Sequence, residues 1–303
     1  MAAETLYSGH AGLFSATALS PVVHAILSDR GDLRQTVKYC GSINGRTSSV
    51  LEVSKWNGNQ AMASTSEGAD AANQDIVSGS ASITVARQSI VRDVSDLYQM
   101  AGGSVSLQMI AETVADSANS RFTDLLVALF ASVTAVVGTS GDTLSYDDFR
   151  LGLNTLRSAN VPSSEPIFCI LNPKQINELV DSYRLETGLS VFRPQNDQIL
   201  NYHGMGDAFM IDGVIVLQTD SIVTDGTDLI GCMFGFSAFG YGDGLPDGLR
   251  KTNVEMMRMP SNAAVWAELE NDALSGSMRV VGNYYVGLAM IEDARAVRIR
   301  SVD

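Results

Sequence analysis

The sequence predicts an α+β fold, on three observations. Residues 47–95 hold two extended, strand-forming limbs around a long polar linker, and residues 104–137 carry one unbroken apolar stripe at helical spacing. From residue 145 helices and strands alternate, and after residue 250 they give way to strands in antiparallel succession. At 303 residues, with 45% hydrophobic and 18% charged residues, the chain is globular in composition and large enough for a second domain.

Residues 1–40 read as an arm followed by a short helix at 18–27. Leu19, Val22, Val23, Ile26 and Leu27 fall at helical spacing there, Ser20-Pro21 marks the start and Gly31 the stop. The first extended limb, TSSVLEVSKWNGN, scatters Val50, Leu51, Val53 and Trp56 among polar residues. The second, ASITVARQSIVRDVS, supplies the β-branched Ile83, Val85, Ile90, Val91 and Val94. Between them QAMASTSEGADAANQDIVSGS is poor in large apolar side chains. An isolated two-stranded hairpin is only marginally stable in water, and a linker this long is functional or disordered. The hairpin therefore predicts a cover, most simply a neighbouring copy of the same chain. Trp56, beside Lys55 on an otherwise polar limb, is the kind of residue that anchors an interface.

The stripe that follows runs through Leu107, Ile110, Val114, Ala118, Phe122, Leu125, Leu129, Val133 and Val136, with Glu112, Asp116, Asn119 and Asp124 opposite. Gly102-Gly103 precede it and Gly138 and Gly141 follow, giving a helix of about 50 Å at 1.5 Å per residue. Next come a helix at 146–159 with Phe149, Leu153 and Leu156 inward, and Asp142, Asp147 and Asp148 as its caps. A buried strand at 166–173 is followed by a helix at 174–183 with Ile176, Leu179 and Val180 on one face, a strand around 214–217 and another at 231–239. Residues 240–250, GYGDGLPDGLR, read as a glycine-rich turn. Strands are expected at 253–259, 263–270, 278–290 and 296–299. No short-period repeat is present, which excludes solenoids and propellers.

The formal charge of −14 argues against a nucleic-acid reader, which draws on clustered Lys and Arg. Residues 1–60 carry five bases and four acids, whereas 141–250 carry six and fifteen. Cys40, Cys169 and Cys232 form no CxxC pair and no zinc pattern with the three histidines, so free thiols of a reducing compartment are expected. There is no signal-peptide pattern and no run of about 20 apolar residues, and a soluble intracellular chain follows. His10, His24 and His203 lie in no nucleophile or metal motif. Gly240-Tyr-Gly242-Asp-Gly244 lacks the Lys-Ser/Thr of a phosphate loop, and Asp220, Asp225 and Asp228 do not match the spacing of a calcium loop. No catalytic residue, cofactor or metal is expected.

The order of elements resembles the major capsid protein of tailed bacteriophages, with the Hong Kong 97-like fold. The likeness spans nearly the whole chain and rests on four segments: the extended-loop pattern around Ala63-Ser-Thr-Ser-Glu67-Gly68, the ITVARQSIVRDVS limb leading to a Gly-Gly-led helix, the FCILNP strand followed by a helix, and the tail VVGNYYVGLAMIEDARAVRIRS. The resemblance implies an N-terminal arm (1–40), an extended loop (41–88), a peripheral domain with a spine helix (89–144), an axial domain (145–250), return strands to the peripheral domain (251–293) and a C-terminal strand to the axial domain (294–303).

It also implies a role. Copies assemble into hexamers and pentamers of an icosahedral shell around double-stranded DNA, bound without sequence specificity and with no membrane, in a virion built in the host bacterial cytoplasm. Lys55, Trp56, Asn57, Glu67 and Asp70 of the extended loop and Leu6, Tyr7 and Phe14 of the arm would contact neighbouring subunits, and Asp243, Leu245 and Pro246 would form a turn at the capsomer centre. Portal and decoration proteins are further partners. Because Met1 opens almost directly onto the arm, a separate scaffolding protein is expected. Some relatives join subunits through a lysine–asparagine isopeptide bond. Lys55 lies in the corresponding limb, but the tail around Asn283-Tyr284-Tyr285 has no glutamate in the catalyst's place, so an uncross-linked shell is expected. An acidic wall would leave packed DNA free to move. Two other readings compete. One is an encapsulin-like cellular compartment; the other is an intracellular α/β enzyme built around residues 145–240, which would need a pocket of convergent titratable groups.

Overall fold

The computed structural model describes residues 33–44, 46–56, 67, 78–95, 107–159, 161–162, 164–187, 208–222, 224, 226–244, 254–255, 265–272 and 277–303. Of the expected arm (1–40) only residues 33–40 are described, where a 3-10 turn at Leu33–Thr36 leads into a strand from Lys38; the helix at 18–27, the three histidines and the Gly102-Gly103 start lie outside the described residues.

Two six-stranded sheets and one hairpin carry the fold. The first sheet takes β1 (Lys38–Ser42), β10 (Phe239–Asp243), β13 (Ser277–Met290), β12 (Val265–Asp272) and β11 (Val254–Glu255) in that order, with β4 (Ala86–Ser95) also paired to β13. The second takes β5 (Val136–Val137), β14 (Ala296–Val302), β9 (Asp228–Gly235), β6 (Ile167–Leu171), β8 (Val214–Gln218) and β7 (Phe209–Ile211). β2 (Val50–Trp56) and β3 (Ser78–Thr84) form the hairpin. The helices are α1 (Leu107–Phe130), α2 (Tyr146–Ser158) and α3 (Pro173–Thr187).

The second sheet is buried on both faces, which explains the near-continuous apolar runs of its strands. Phe168, Ile170, Ile215 and Leu217 share one core with α1, while Cys169, Leu171, Val214 and Val216 meet Phe149, Leu153 and Leu156 of α2 and Leu179 of α3. α1 bridges the two sheets. Val114, Ala115, Ala118 and Phe122 join a core with Tyr241, Val280 and Tyr284 of the first sheet, and farther along the helix Phe130 packs on Phe234 and Phe239.

α1 is shorter than its pattern. The apolar period continues to Val136, yet the helix stops at Phe130 after 24 residues, about 36 Å. The β-branched Val133, Thr134, Val136 and Val137 favour extended backbone, the Ser132 hydroxyl bonds back to the Leu129 carbonyl, and Val136–Val137 pair in parallel with β14. Leu126 and Phe130 are fully buried, whereas Leu125 and Leu129 are half-buried.

Three further expectations are corrected. Residues 231–239 are two strands, because the chain turns at 236–238 and leaves the second sheet for the first. The glycine-rich stretch expected as a turn from 240 is β10 through Asp243, buried in the first sheet. The helix cap is Ser145, whose hydroxyl accepts from the Asp148 amide while Asp148 accepts from the Ser145 amide in a capping box. Asp147 sits in the first turn, and Asp142 lies in the preceding loop.

Three chain passages connect the sheets: β4 through α1 to β5, β9 to β10, and β13 to β14, and the last two lie side by side. The Ile291 and Glu292 amides both donate to the Ala238 carbonyl. Glu165 accepts from the Ser237 amide and pairs with Arg295 at 3.1 Å, and Arg295 also pairs with Glu292 at 2.8 Å. Removing the carboxylate in Glu165→Ala leaves a part-buried guanidinium short of a partner. Stability should fall by about 1–3 kcal/mol, read from the urea midpoint, with Glu165→Gln falling less.

Candidate assembly surface

The hairpin is a two-stranded sheet of its own, and its seat explains two of the glycines. Leu51 faces Ile83 and Val53 faces Ala81 across the ladder, so one face is apolar at the base and ends at the Lys55–Gly79 rung. Leu51, Ile83 and Val85 form a small core of their own, backed by Cys40, Ile43, Tyr285 and Ala289. Under it Gly242 of β10 and Gly287 of β13 are cross-strand partners. A Cβ on Gly242 would lie 2.2 Å from Leu51 Cδ1, and one on Gly287 would lie 2.1 Å from the Thr84 carbonyl oxygen. The paired glycines make a bare notch in which the hairpin base rests on the sheet backbone.

Away from the notch the hairpin is open. Glu52, Ser54, Gly79, Ser80, Ser82 and Thr84 are exposed and Lys55 is half-buried. Its last described rung pairs Trp56 with Ser78. The second sequence limb divides at Val85: β3 stays in the hairpin, while β4 pairs along ten residues of β13. On that ladder Arg279 pairs with Asp93 at 2.7 Å, and Arg87 Nε donates to Asn283 Oδ1 at 2.9 Å. The Arg279 hydrogen bond holds the Asp93 carboxyl below its usual value.

Of the residues expected at interfaces, Lys55 and Trp56 stand together on the hairpin, and Glu67 is exposed. Asn57, Asp70, Leu6, Tyr7, Phe14, Leu245 and Pro246 lie outside the described residues. Asp243 is in a strand rather than a turn; it is 1% exposed and accepts a hydrogen bond from Tyr39 Oη at 2.9 Å. Sequence reasoning missed Arg34. Its guanidinium lies 5.2 Å from the Phe122 ring centre and 5.1 Å from that of Tyr284, and Nε donates to Tyr284 Oη at 3.0 Å. This buried stack ties the start of the described chain to α1 and β13.

Titratable groups elsewhere have structural surroundings. Burial pushes the Cys169 and Cys232 thiols well up and raises Cys40. Tyr146 is pushed up to about 12, first by burial and then by its hydrogen bond to Asp212, at 2.7 Å. Among the described residues no group of three or more His, Cys, Asp or Glu could hold a metal, and no helix is long and apolar enough to cross a membrane. Asp228 ties β9 to the loop after β5. The Ser140 hydroxyl and the Gly141 amide, aided by Arg300, hold its carboxyl below the usual value. A depressed acid stabilises the fold above its unfolded value and loses that contribution as pH falls through the folded one. The melting-temperature gap between wild type and Asp228→Asn should thus be constant from neutral pH to about pH 5 and close below the carboxylate range.

No family model and no curated protein matches the chain. Solved structures do. The capsid of Ralstonia phage GP4 superposes with a TM-score of 0.61 at 9% identity, covering 90% of this chain and 91% of that one. The capsid of cyanophage P-SCSP1u gives 0.60 at 12% identity, covering 89% and 87%. The SrpI encapsulin complex from Synechococcus elongatus gives 0.54 at 12%, covering 84% and 82%. The chain has the mixed α+β fold of these shell proteins along nearly its whole length.

Proposed function

We propose that the chain is the major capsid protein of a tailed phage, a structural shell subunit and not an enzyme. One observation carries the reading most directly: a hairpin that, among the described residues, is seated at its base and has an exposed polar shaft, on a fold shared with assembled capsids. A ribbon of that kind contributes little to the stability of its own subunit and makes sense as a strap across a neighbour. In this reading α1 is the spine helix, the first sheet belongs to the peripheral domain, and the second sheet with α2 and α3 is the axial domain. Lys55, Trp56, Asn57, Glu67 and Asp70 then meet the adjacent subunit, the arm with Leu6, Tyr7 and Phe14 meets another, and Leu245 and Pro246 border the capsomer centre. Hexamers and pentamers close around double-stranded DNA in a virion assembled in the host cytoplasm, with separate scaffolding, portal and decoration proteins as partners.

Negative-stain microscopy and sedimentation of the expressed protein test the proposal. Capsomers or closed shells are expected, with a single band near 32.3 kDa on denaturing electrophoresis because no cross-link forms. A well-folded monomer at high concentration overturns the shell reading, and a ladder of bands overturns the uncross-linked one. The encapsulin likeness favours a second reading, a cellular compartment. Protein cargo instead of nucleic acid inside purified particles would select it.

A further inference from the structure

Among the described residues the first sheet ends on an open edge. β13 is filled on both sides: Tyr284 pairs with Val265 of β12 on one side and with Gln88 of β4 on the other. β4 has no second partner among the described residues, so the far edge of a ten-residue strand is left without a ladder. Ala86, Arg87, Ser89, Val91, Arg92 and Asp93 are exposed along it, Val91 at 49%. An edge this long presents a row of backbone donors and acceptors to any strand that can match it.

Its side chains restrict what can match. Gln88 and Ile90 point to α1, where Gln88 meets Arg121, so Arg87, Ser89, Val91 and Asp93 stand on the opposite face. Laid antiparallel against a second β4 with Ile90 facing Ile90, the strand sets each Arg87 opposite an Asp93 of the other copy. Directly opposed Cβ atoms lie about 4.5–5.5 Å apart, close enough for the two charges to meet. Arg92 falls opposite Gln88 and Val91 opposite Ser89, so no like charges face each other. A shift of one residue in one direction sets Arg87 against Arg92, and in the other it leaves every charge without an opposite one. The hairpin matches this edge less well. β3 carries no charge, and no register of β2, parallel or antiparallel, sets Glu52 against an arginine and Lys55 against Asp93 at once.

We propose that β4 pairs antiparallel with β4 of a second copy about a two-fold at Ile90, joining two first sheets into one continuous sheet. The contact is isologous, because each copy offers the same edge. It needs a second copy and not a shell. Within the proposed shell the subunits of a ring meet head to tail, so a two-fold contact of this kind would join neighbouring rings; that last step alone rests on the shell reading. One strand pair is weak, and it gains effect by repetition over many subunits.

The test uses the full-length chain with Cys40→Ser; Cys169 and Cys232 are fully buried and stay out of the reaction. Ser89→Cys and Val91→Cys subunits are purified separately, mixed and mildly oxidised. The mixture should give disulfide-linked dimers at least about five-fold above either variant alone, because the pairing sets Ser89 directly opposite Val91 of the other copy. Hydrogen exchange is the second measurement. The β4 amides that β13 leaves free should slow at least about ten-fold on going from dilute to concentrated protein. A disulfide between Val91→Cys and Ser80→Cys subunits would overturn the partner strand by placing a neighbour's hairpin on the edge. Shells that yield neither mixed dimers nor slowed β4 amides would sink this inference alone. Mixed dimers without shells would sink the proposed function and leave this inference standing.

Discussion

Gly287→Ala is expected to unseat the hairpin and abolish assembly. The added methyl would lie 2.1 Å from the Thr84 carbonyl oxygen and 3.0 Å from the Val85 Cα, so it meets backbone and not a side chain that can rotate away. Relief requires β3 to lift from β13, which exposes Leu51, Ile83 and Val85 together. Overpacking of this kind costs about 1–3 kcal/mol, small enough for the two large sheets to stay folded. The expected result is a lower urea midpoint, retained circular dichroism, and subunits that sediment as monomers. Shells of normal size from the variant would show that the notch is not what positions the hairpin. Gly242→Ala faces a milder obstacle, since the atom it meets is Leu51 Cδ1, and should assemble at reduced yield.

Phe122→Ala should be the most destabilising single change in α1. Phe122 is fully buried, meets Tyr241 edge-on with ring centres 5.5 Å apart, and forms one of the two aromatic faces around Arg34. Emptying a buried phenylalanine site costs about 3–5 kcal/mol, and the lost cation–π contact adds about 1 kcal/mol. The denaturation midpoint should fall far more than for Phe122→Leu, which keeps most of the volume and loses chiefly the stack on Arg34. If the two variants match, the loss comes from the aromatic stack on Arg34 and not from the emptied volume.

The local elements were legible wherever period and punctuation agreed. α2 lies within a residue of its expected span with Phe149, Leu153 and Leu156 inward, because its apolar period is clear, although the cap is Ser145 with Asp148 and not the three acids expected. The extended limbs were readable from their β-branched residues, but not that the second divides at Val85 and sends residues 86–95 to β13. The end of α1 was not, because Val133 and Val136 keep the helical period while their branching favours a strand, and pairing with β14, some 160 residues away in sequence, decides the matter. Gly240, Gly242 and Gly244 resembled a turn for a related reason. Glycine signals either a bend or a close approach, and only distant side chains crossing β10, Ile291 and Cys40 at Gly240 and Leu51 at Gly242, select the second. Arg34 carried no sequence signal, since its partner Tyr284 is 250 residues distant. Of the proposed interface residues, Lys55 and Trp56 are neighbours on one described strand, and all the others except Glu67 and Asp243 lie outside the described residues.

The twin crossings at Ala238 and Ile291 have a mechanical consequence. A wall under outward pressure is pulled in its own plane, and tension passing from one sheet to the other runs through these two adjacent threads as well as through α1. The adjacent threads share their part of the load, and the Glu165–Arg295 clasp keeps the pair from being peeled apart in turn. A container built from such units would yield first at the seams between its tiles, not within them.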